Sequence, residues 1–300
     1  TPHQEIIKPD FLLIGAQKAG TTWLWRMLEP HPGTDLPEKK EIHFFGGSEN
    51  YRKGKQWYYN HFAALDSSKV IGEASTTYLY DAVPFWHNPS DLLEVDHSLP
   101  TIPELITTEL PDIKILVILR DPVWRAVSAY KHWMRKNRTG TISPRLGLKK
   151  TAIRYPKMRI LECGFYTRYL KLWKEFVDPE RMLVLVFEED VVKSPEKTLP
   201  RVYDFLGLDM DFFPENPSKP VHTASTWTRI VFNHYAHIVS PRLAKSSLGN
   251  VFNRFDFLKS SAITQEDIAF LRSAYLPEKT DLETMLGRDI SSWNYGELSR

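Results

Sequence analysis

Four short apolar runs, each followed by a turn or by residues at helical spacing, constrain this chain more than anything else in it. Phe11–Ala16 (Phe-Leu-Leu-Ile-Gly-Ala), Val70–Ala74, Ile113–Leu119 (Ile-Lys-Ile-Leu-Val-Ile-Leu) and Met182–Phe187 have strand length and lack the strict polar alternation of a sheet wetted on one face. Runs of that kind read as strands buried on both sides, the condition of a parallel sheet. Helical spacing follows in Trp23–Leu28, closed by His31-Pro32-Gly33, and in Val123–Lys136, with Pro122 at its start. Gly207 stops a helix over Pro195–Leu206, and Gln265–Leu286 reads as a helix broken at Pro277. Strands alternating with helices predict an α/β fold, a central parallel sheet flanked by helices on both faces.

Residues 1–300 are read as a single domain, long enough to bury a core without disulfides. Residues 81–103, rich in Pro, Asp, Asn and Ser, read as a surface excursion. Residues 216–253 carry Pro217, Pro220 and Pro241 among aromatic and basic side chains, and read as a lid or acceptor-side segment. A net charge of +2, from 39 Lys plus Arg against 37 Asp plus Glu, argues against a nucleic-acid partner but leaves room for a local cationic pocket. Cys163 is the single cysteine, so no intramolecular disulfide and no cysteine-based metal site can form. The ten histidines show no metal-ligand spacing, and no metal is expected. No apolar run approaches the ~20 residues of a membrane helix, and no signal-peptide core is present.

The turn after the first run is Gln17-Lys18-Ala19-Gly20-Thr21-Thr22. A buried strand, a glycine-containing turn and a helix together form an anion cradle, because helix-start N–H groups and the helix dipole favour negative charge. Gly20 permits close backbone approach, Thr21 and Thr22 add hydroxyl donors, and Lys18 supplies a mobile cation. The nucleoside-triphosphate loop G-x-x-x-x-G-K-[ST] is absent, since here the lysine precedes the glycine. Taken alone, the turn is equally well a capped strand–helix junction. After the third run comes Arg120-Asp121-Pro122-Val123-Trp124-Arg125-Ala126-Val127-Ser128-Ala129-Tyr130. Arg120 stands at the carboxyl end of a strand, where ligands bind in open α/β sheets. Arg125 and Ser128, three apart, share a helix face, and an arginine fork with a serine hydroxyl suits a phosphate.

Gln-Lys-Ala-Gly-Thr-Thr-Trp at 17–23, joined to Arg-Asp-Pro-x-x-Arg-x-x-Ser-x-Tyr at 120–130, resembles the paired signature of sulfotransferases that use 3′-phosphoadenosine 5′-phosphosulfate (PAPS). The resemblance implies the P-loop-NTPase-like sulfotransferase fold. It implies that Lys18, Ala19, Gly20, Thr21 and Thr22 hold the 5′ end of PAPS, that Arg120 and Ser128 hold its 3′-phosphate, and that Trp23 stacks on adenine. Lys39-Lys40-Glu41-Ile42-His43-Phe44-Phe45 resembles the Glu-x-His-Phe-Phe segment of Golgi glycosaminoglycan sulfotransferases. So do Gly72-Glu73-Ala74-Ser75, Cys163-Gly164-Phe165-Tyr166 and Gly287-Arg288-Asp289-Ile290-Ser291-Ser292-Trp293. Sulfotransferase domains of bacterial polyketide synthases look similar over the same stretches.

An attacking hydroxyl must lose a proton, charge grows on the sulfuryl and bridging oxygens, and the reactants must be held in line. The resemblance implies Glu41 as general base and Lys18 as the cation on the transferring group. His43 is the reserve base or positioning residue, expected to point the same way as Glu41 from an extended segment. Two departures stand out. Ala74 occupies the place of a lysine common in glycosaminoglycan enzymes. The cytosolic branch's Arg-Lys-Gly motif is not evident; Lys219, His222, Ser225, Thr226 and Arg229 read first as an ordinary polar loop and, as the alternative, as the source of its contacts. The acceptor expected is a carbohydrate hydroxyl. The alternatives are a β-hydroxyl on a carrier-bound polyketide acyl chain or, in a different class, an ATP-dependent phosphotransferase. The expected location is cytoplasmic for a bacterial chain and the Golgi lumen for a truncated eukaryotic enzyme.

Overall fold

All four apolar runs are strands, and they form one sheet. The structure, a computed structural model, describes residues 6–46, 48–80, 100–136, 142–143, 146–215, 217, 235 and 263–295. β1 (Phe11–Gly15), β2 (Gly72–Glu73), β3 (Lys114–Leu119) and β4 (Met182–Val186) lie in the order β2-β1-β3-β4. Every pairing is parallel, from Phe11 opposite Gly72 to Leu119 opposite Val186. The central strands are the most apolar, and β1 is buried along its whole length. A residue there loses water on both faces, which only Phe, Leu and Ile repay.

β2 is shorter than the predicted Val70–Ala74 because both flanks bond elsewhere. Val70 bridges to Thr34, and the Ala74 N–H donates to the Lys40 carbonyl at 3.1 Å. Gly72 is required by close approach, since a Cβ there would lie 2.1 Å from Cζ of Phe11 on the neighbouring strand.

The described residues gather into two compact units. The first comprises those within Thr1–Arg120, Tyr166–Val221 and Asp281–Trp293; the second, those within Asp121–Phe165, His222–Thr280 and Asn294–Arg300. The first holds the sheet with α1 (Thr21–Leu28), α2 (Ser48–Tyr51), α3 (Lys55–Tyr59) and α4 (Ile102–Glu109). In the second, α5 (Pro122–Lys136) and α6 (Leu148–Arg154) pack on α9 (Gln265–Tyr275). A capping box between Thr264 and Asp267 starts α9, and Asp267 also accepts the Lys149 N–H at 2.8 Å.

α7 (Tyr166–Lys174) and α8 (Pro195–Leu206) return to the first unit, and Gly207 ends α8 in the left-handed conformation at φ 77°. The predicted break is present: a turn over Leu276–Glu278 holds Pro277, and α10 (Lys279–Leu286) follows. The predicted excursion, apart from residues 100–103, and the 216–253 segment, apart from 217 and 235, lie outside the described residues. So do Lys219, His222, Ser225, Thr226 and Arg229. No helix among the described residues is long and apolar enough to cross a membrane.

Candidate active site

The turn after β1 has the backbone shape expected of an anion cradle. Gly20 is the N-cap of α1 at φ 100°, and a Cβ there would stand 2.6 Å from Cδ2 of Phe187. Glycine is thus required twice, by its backbone angle and by the aromatic wall against it. Lys18 also has a positive φ, 67°, which bends the chain back beneath the helix start. The Ala16 N–H donates to Ile118 of β3 at 2.6 Å and the Gln17 N–H to the Tyr80 hydroxyl at 3.2 Å, anchoring the turn's entry. Ala19 and Thr21 are buried, whereas Lys18, Gly20 and Thr22 keep partial exposure.

Arg120, at the end of β3, reaches this turn. Its Nη1 donates to the Lys18 carbonyl at 3.2 Å, and its guanidinium lies over the Phe187 ring at 5.0 Å. Glu188 faces it at 3.9 Å, too long for a hydrogen bond, and the Arg120 Nε is buried without a hydrogen-bond partner. A buried guanidinium nitrogen left unsatisfied is costly. The rest of the guanidinium stays partly exposed beside the turn, so the residues present, Lys18, Arg120 and the α1 start, fit a phosphate.

Glu41 belongs to the same unit and connects to the same turn. Lys40 Nζ donates to Thr22 Oγ1 and to Glu41 Oε1, both at 3.3 Å. The other carboxylate oxygen, Glu41 Oε2, lies 3.2 Å from His43 Nε2, and His43 Nδ1 lies 2.9 Å from Thr77 Oγ1. The expected Glu41–His43 pairing is present, but not through an extended segment, because His43 has φ 55°. Burial pushes the Glu41 carboxyl up, yet the His43 hydrogen bond and the charges of Lys40 and His43 outweigh it and bring it down to about 2. Burial lowers the Lys40 pKa, and Glu41 opposes that shift.

Several of these contacts were not legible in the sequence. Lys40 bridges Thr22 of the turn and Glu41, a contact that no residue spacing announces. Phe187 and Glu188 follow β4 without any motif. The closing Gly-Arg-Asp-Ile-Ser-Ser-Trp stretch was the available signal, because it binds the acidic run after β4. Arg288 pairs with Glu189 and, at 2.9 Å, with Asp190; Ser292 donates to Glu189 and Trp293 Nε1 to Glu188, each at 2.8 Å.

Ser128 lies half-buried on α5 in the second unit. The pairing of Arg125 with Ser128 on one anion-binding face does not hold for Arg125, which is fully buried and donates to the Ile160 carbonyl inside that unit. Asp121 caps α5 through the Val123 N–H at 2.9 Å and takes the Tyr295 N–H at 2.9 Å. Trp23 is 6% exposed, and its indole N–H donates to the Pro217 carbonyl at 2.7 Å. Among the described residues no group of three or more His, Cys, Asp and Glu side chains is placed to hold a metal ion.

The fold is a parallel α/β sheet with Lys18 and Arg120 at the carboxyl ends of its central strands, and comparison places it in a family. The model of the sulfotransferase family matches residues 9–212. The chain is 31% identical over 232 residues to the bifunctional heparan sulfate N-deacetylase/N-sulfotransferase 1 of Caenorhabditis elegans, covering 71% of this chain and 24% of that protein. It is 28% identical over 205 residues to the mouse heparan sulfate glucosamine 3-O-sulfotransferase 5, covering 67% of this chain and 54% of that one. The crystal structure of a sulfotransferase from Alicyclobacillus acidocaldarius superposes with a TM-score of 0.65 at 24% identity, over 96% of this chain and 99% of that one.

This chain belongs to the sulfotransferase family and has its fold. It spans about a quarter to about half the length of these two curated relatives. Nothing supports the phosphotransferase alternative.

Proposed function

We propose that this chain transfers a sulfuryl group from PAPS to a hydroxyl of a carbohydrate, with residues 1–300 acting as one domain. The observation that carries the reading is the convergence in one unit of an anion cradle, an arginine across it, and a carboxylate tied to the cradle through Lys40 and Thr22. The family match runs from the first unit into the Asp121–Phe165 segment of the second, which supports a single functional domain. The names of the relatives, which act on heparan sulfate, support a sugar acceptor.

PAPS, when bound, supplies an activated sulfuryl group on a phosphate leaving group. Lys18, Ala19, Gly20, Thr21 and Thr22 would hold its 5′ end, Arg120 its 3′-phosphate, and Trp23 its base. Lys18 places a positive charge where negative charge grows on the departing oxygen. Glu41 receives the proton of the attacking hydroxyl, and His43 holds the carboxylate in place through the 3.2 Å contact at Oε2. Each Glu41 oxygen has one of these partners, Lys40 at Oε1 and His43 at Oε2, and a carboxylate oxygen can accept a second hydrogen bond, so the hydroxyl can be received without displacing either.

The test is affinity for 3′-phosphoadenosine 5′-phosphate (PAP) against ADP, with and without Mg²⁺, followed by turnover on a panel of saccharides, amino sugars and hydroxyacyl carriers read by mass spectrometry. Tight, Mg²⁺-independent PAP binding and sulfated saccharides are expected. Preference for ADP would overturn the nucleotide assignment, and product only on an amine or an acyl carrier would overturn the acceptor. Arg120→Ala should weaken PAP binding by about 10- to 100-fold, the worth of a charge-assisted hydrogen bond. An unchanged dissociation constant by calorimetry would remove Arg120 from the site.

A further inference from the structure

The Glu41–His43 segment is held from beneath by a buried carboxylate that the reaction itself does not use. Glu73 is fully buried on β2. It accepts three hydroxyl hydrogen bonds: Ser75 and Tyr78 donate to Oε1, Tyr78 at 2.8 Å, and Tyr58 donates to Oε2 at 2.9 Å. A hydroxyl has one proton, so the oxygens of Ser75 and Tyr78 are left as acceptors once that proton points at Glu73. Both oxygens meet the Glu41–His43 segment. Ser75 Oγ accepts the His43 N–H at 2.9 Å, and the Tyr78 hydroxyl accepts the Phe44 N–H at 2.8 Å and the Phe45 N–H at 3.4 Å.

The Tyr58 hydroxyl shares the carboxylate but not the segment; its ring stacks on Phe44 at 4.7 Å. Burial raises the Glu73 pKa, and the three hydroxyl bonds oppose the shift.

We infer that Glu73 is a positioning residue: by orienting the Ser75 and Tyr78 hydroxyls it clamps residues 43–45 and so sets where Glu41 and His43 stand. This rests on the proposed role of Glu41. The segment has no regular strand of its own, and His43 sits at a positive φ that an unclamped chain would leave. Ser75 and Tyr78 each point their one hydroxyl proton at the same carboxylate oxygen, so a single carboxylate orients both hydroxyls.

Ser75→Ala and Tyr78→Phe each break one link to the segment, while Tyr58→Phe removes a bond to the same carboxylate and leaves both links intact. The measurements are kcat, PAP affinity, melting temperature and amide hydrogen exchange of residues 42–46. Ser75→Ala and Tyr78→Phe should lower kcat by about 10- to 100-fold, the cost of a reacting group displaced by roughly an ångström. Exchange at 43–45 should rise while PAP affinity holds. Tyr58→Phe should keep kcat and exchange within about twofold of wild type, as for a site that does not couple to the reacting group. In a Glu41→Gln background, Ser75→Ala should cost nothing further, since the group it positions is gone. Three hydroxyl deletions that slow turnover and speed exchange alike, or PAP affinity falling in step with kcat, would reduce Glu73 to a packing role and overturn the inference. A wild-type chain that sulfates nothing would instead sink the proposed reaction, and the exchange pattern would still decide the clamp.

Discussion

Lys18→Ala is expected to lower kcat by about 100- to 1,000-fold, the usual loss when one preorganised donor to a developing charge is removed. Lys18 lies half-exposed in the cradle, so truncating it opens no core cavity. Its positive φ of 67° is already that of a residue bearing a Cβ, so alanine adds no backbone cost. The Arg120 bond to the turn uses the Lys18 carbonyl, which the substitution keeps. The melting temperature should therefore stay within a few degrees, and PAP affinity should fall far less than turnover. That split is the signature of an interaction made mainly in the transition state. Steady-state kinetics beside calorimetric PAP titration checks it. A kcat within tenfold of wild type, or an affinity loss as large as the kcat loss, would contradict the proposed role.

Glu41→Gln should reduce kcat by about 100- to 10,000-fold, the range for loss of a general base. The half-buried carboxylate meets Lys40 and His43 in partly exposed contacts that contribute little to stability, so the variant should fold normally. With its carboxyl held at about 2, Glu41 is too weak a base to deprotonate a free alcohol. It can take the proton once the sulfur–oxygen bond is partly made and the hydroxyl oxygen carries positive charge.

The sign of the pH dependence follows. A depressed carboxyl stays ionised as pH falls through the ordinary value of 4.5, and its pairing is lost only on approach to about 2. The kcat/KM profile, which reports the free enzyme, should therefore show no acid limb at the ordinary carboxylate value. A limb there that Glu41→Gln abolishes would show that the carboxylate is not held down as the structure has it. Wild-type turnover in Glu41→Gln would remove it as base.

The fold was largely open to sequence reasoning because its signals are local. A strand buried on both faces must be apolar without interruption, and Phe11–Gly15, the Ile115–Leu119 stretch of β3 and Met182–Val186 are. Gly207 and Pro277 mark helix ends for reasons of their own backbone chemistry. The exception was β2, whose flanking residues bond to Thr34 and Lys40, partners distant in sequence that no run of residues announces.

The chemistry-bearing types Lys18, Gly20, Glu41, His43 and Arg120 were likewise fixed by local pattern and resemblance. Tertiary structure alone decided their company: Lys40 between Thr22 and Glu41, Phe187 against Gly20, Arg120 across the Lys18 carbonyl, and Arg125 turned inward to Ile160. Strand and helix periods follow from the backbone of each segment, whereas the direction of a charged side chain depends on which distant group can satisfy it once water is excluded.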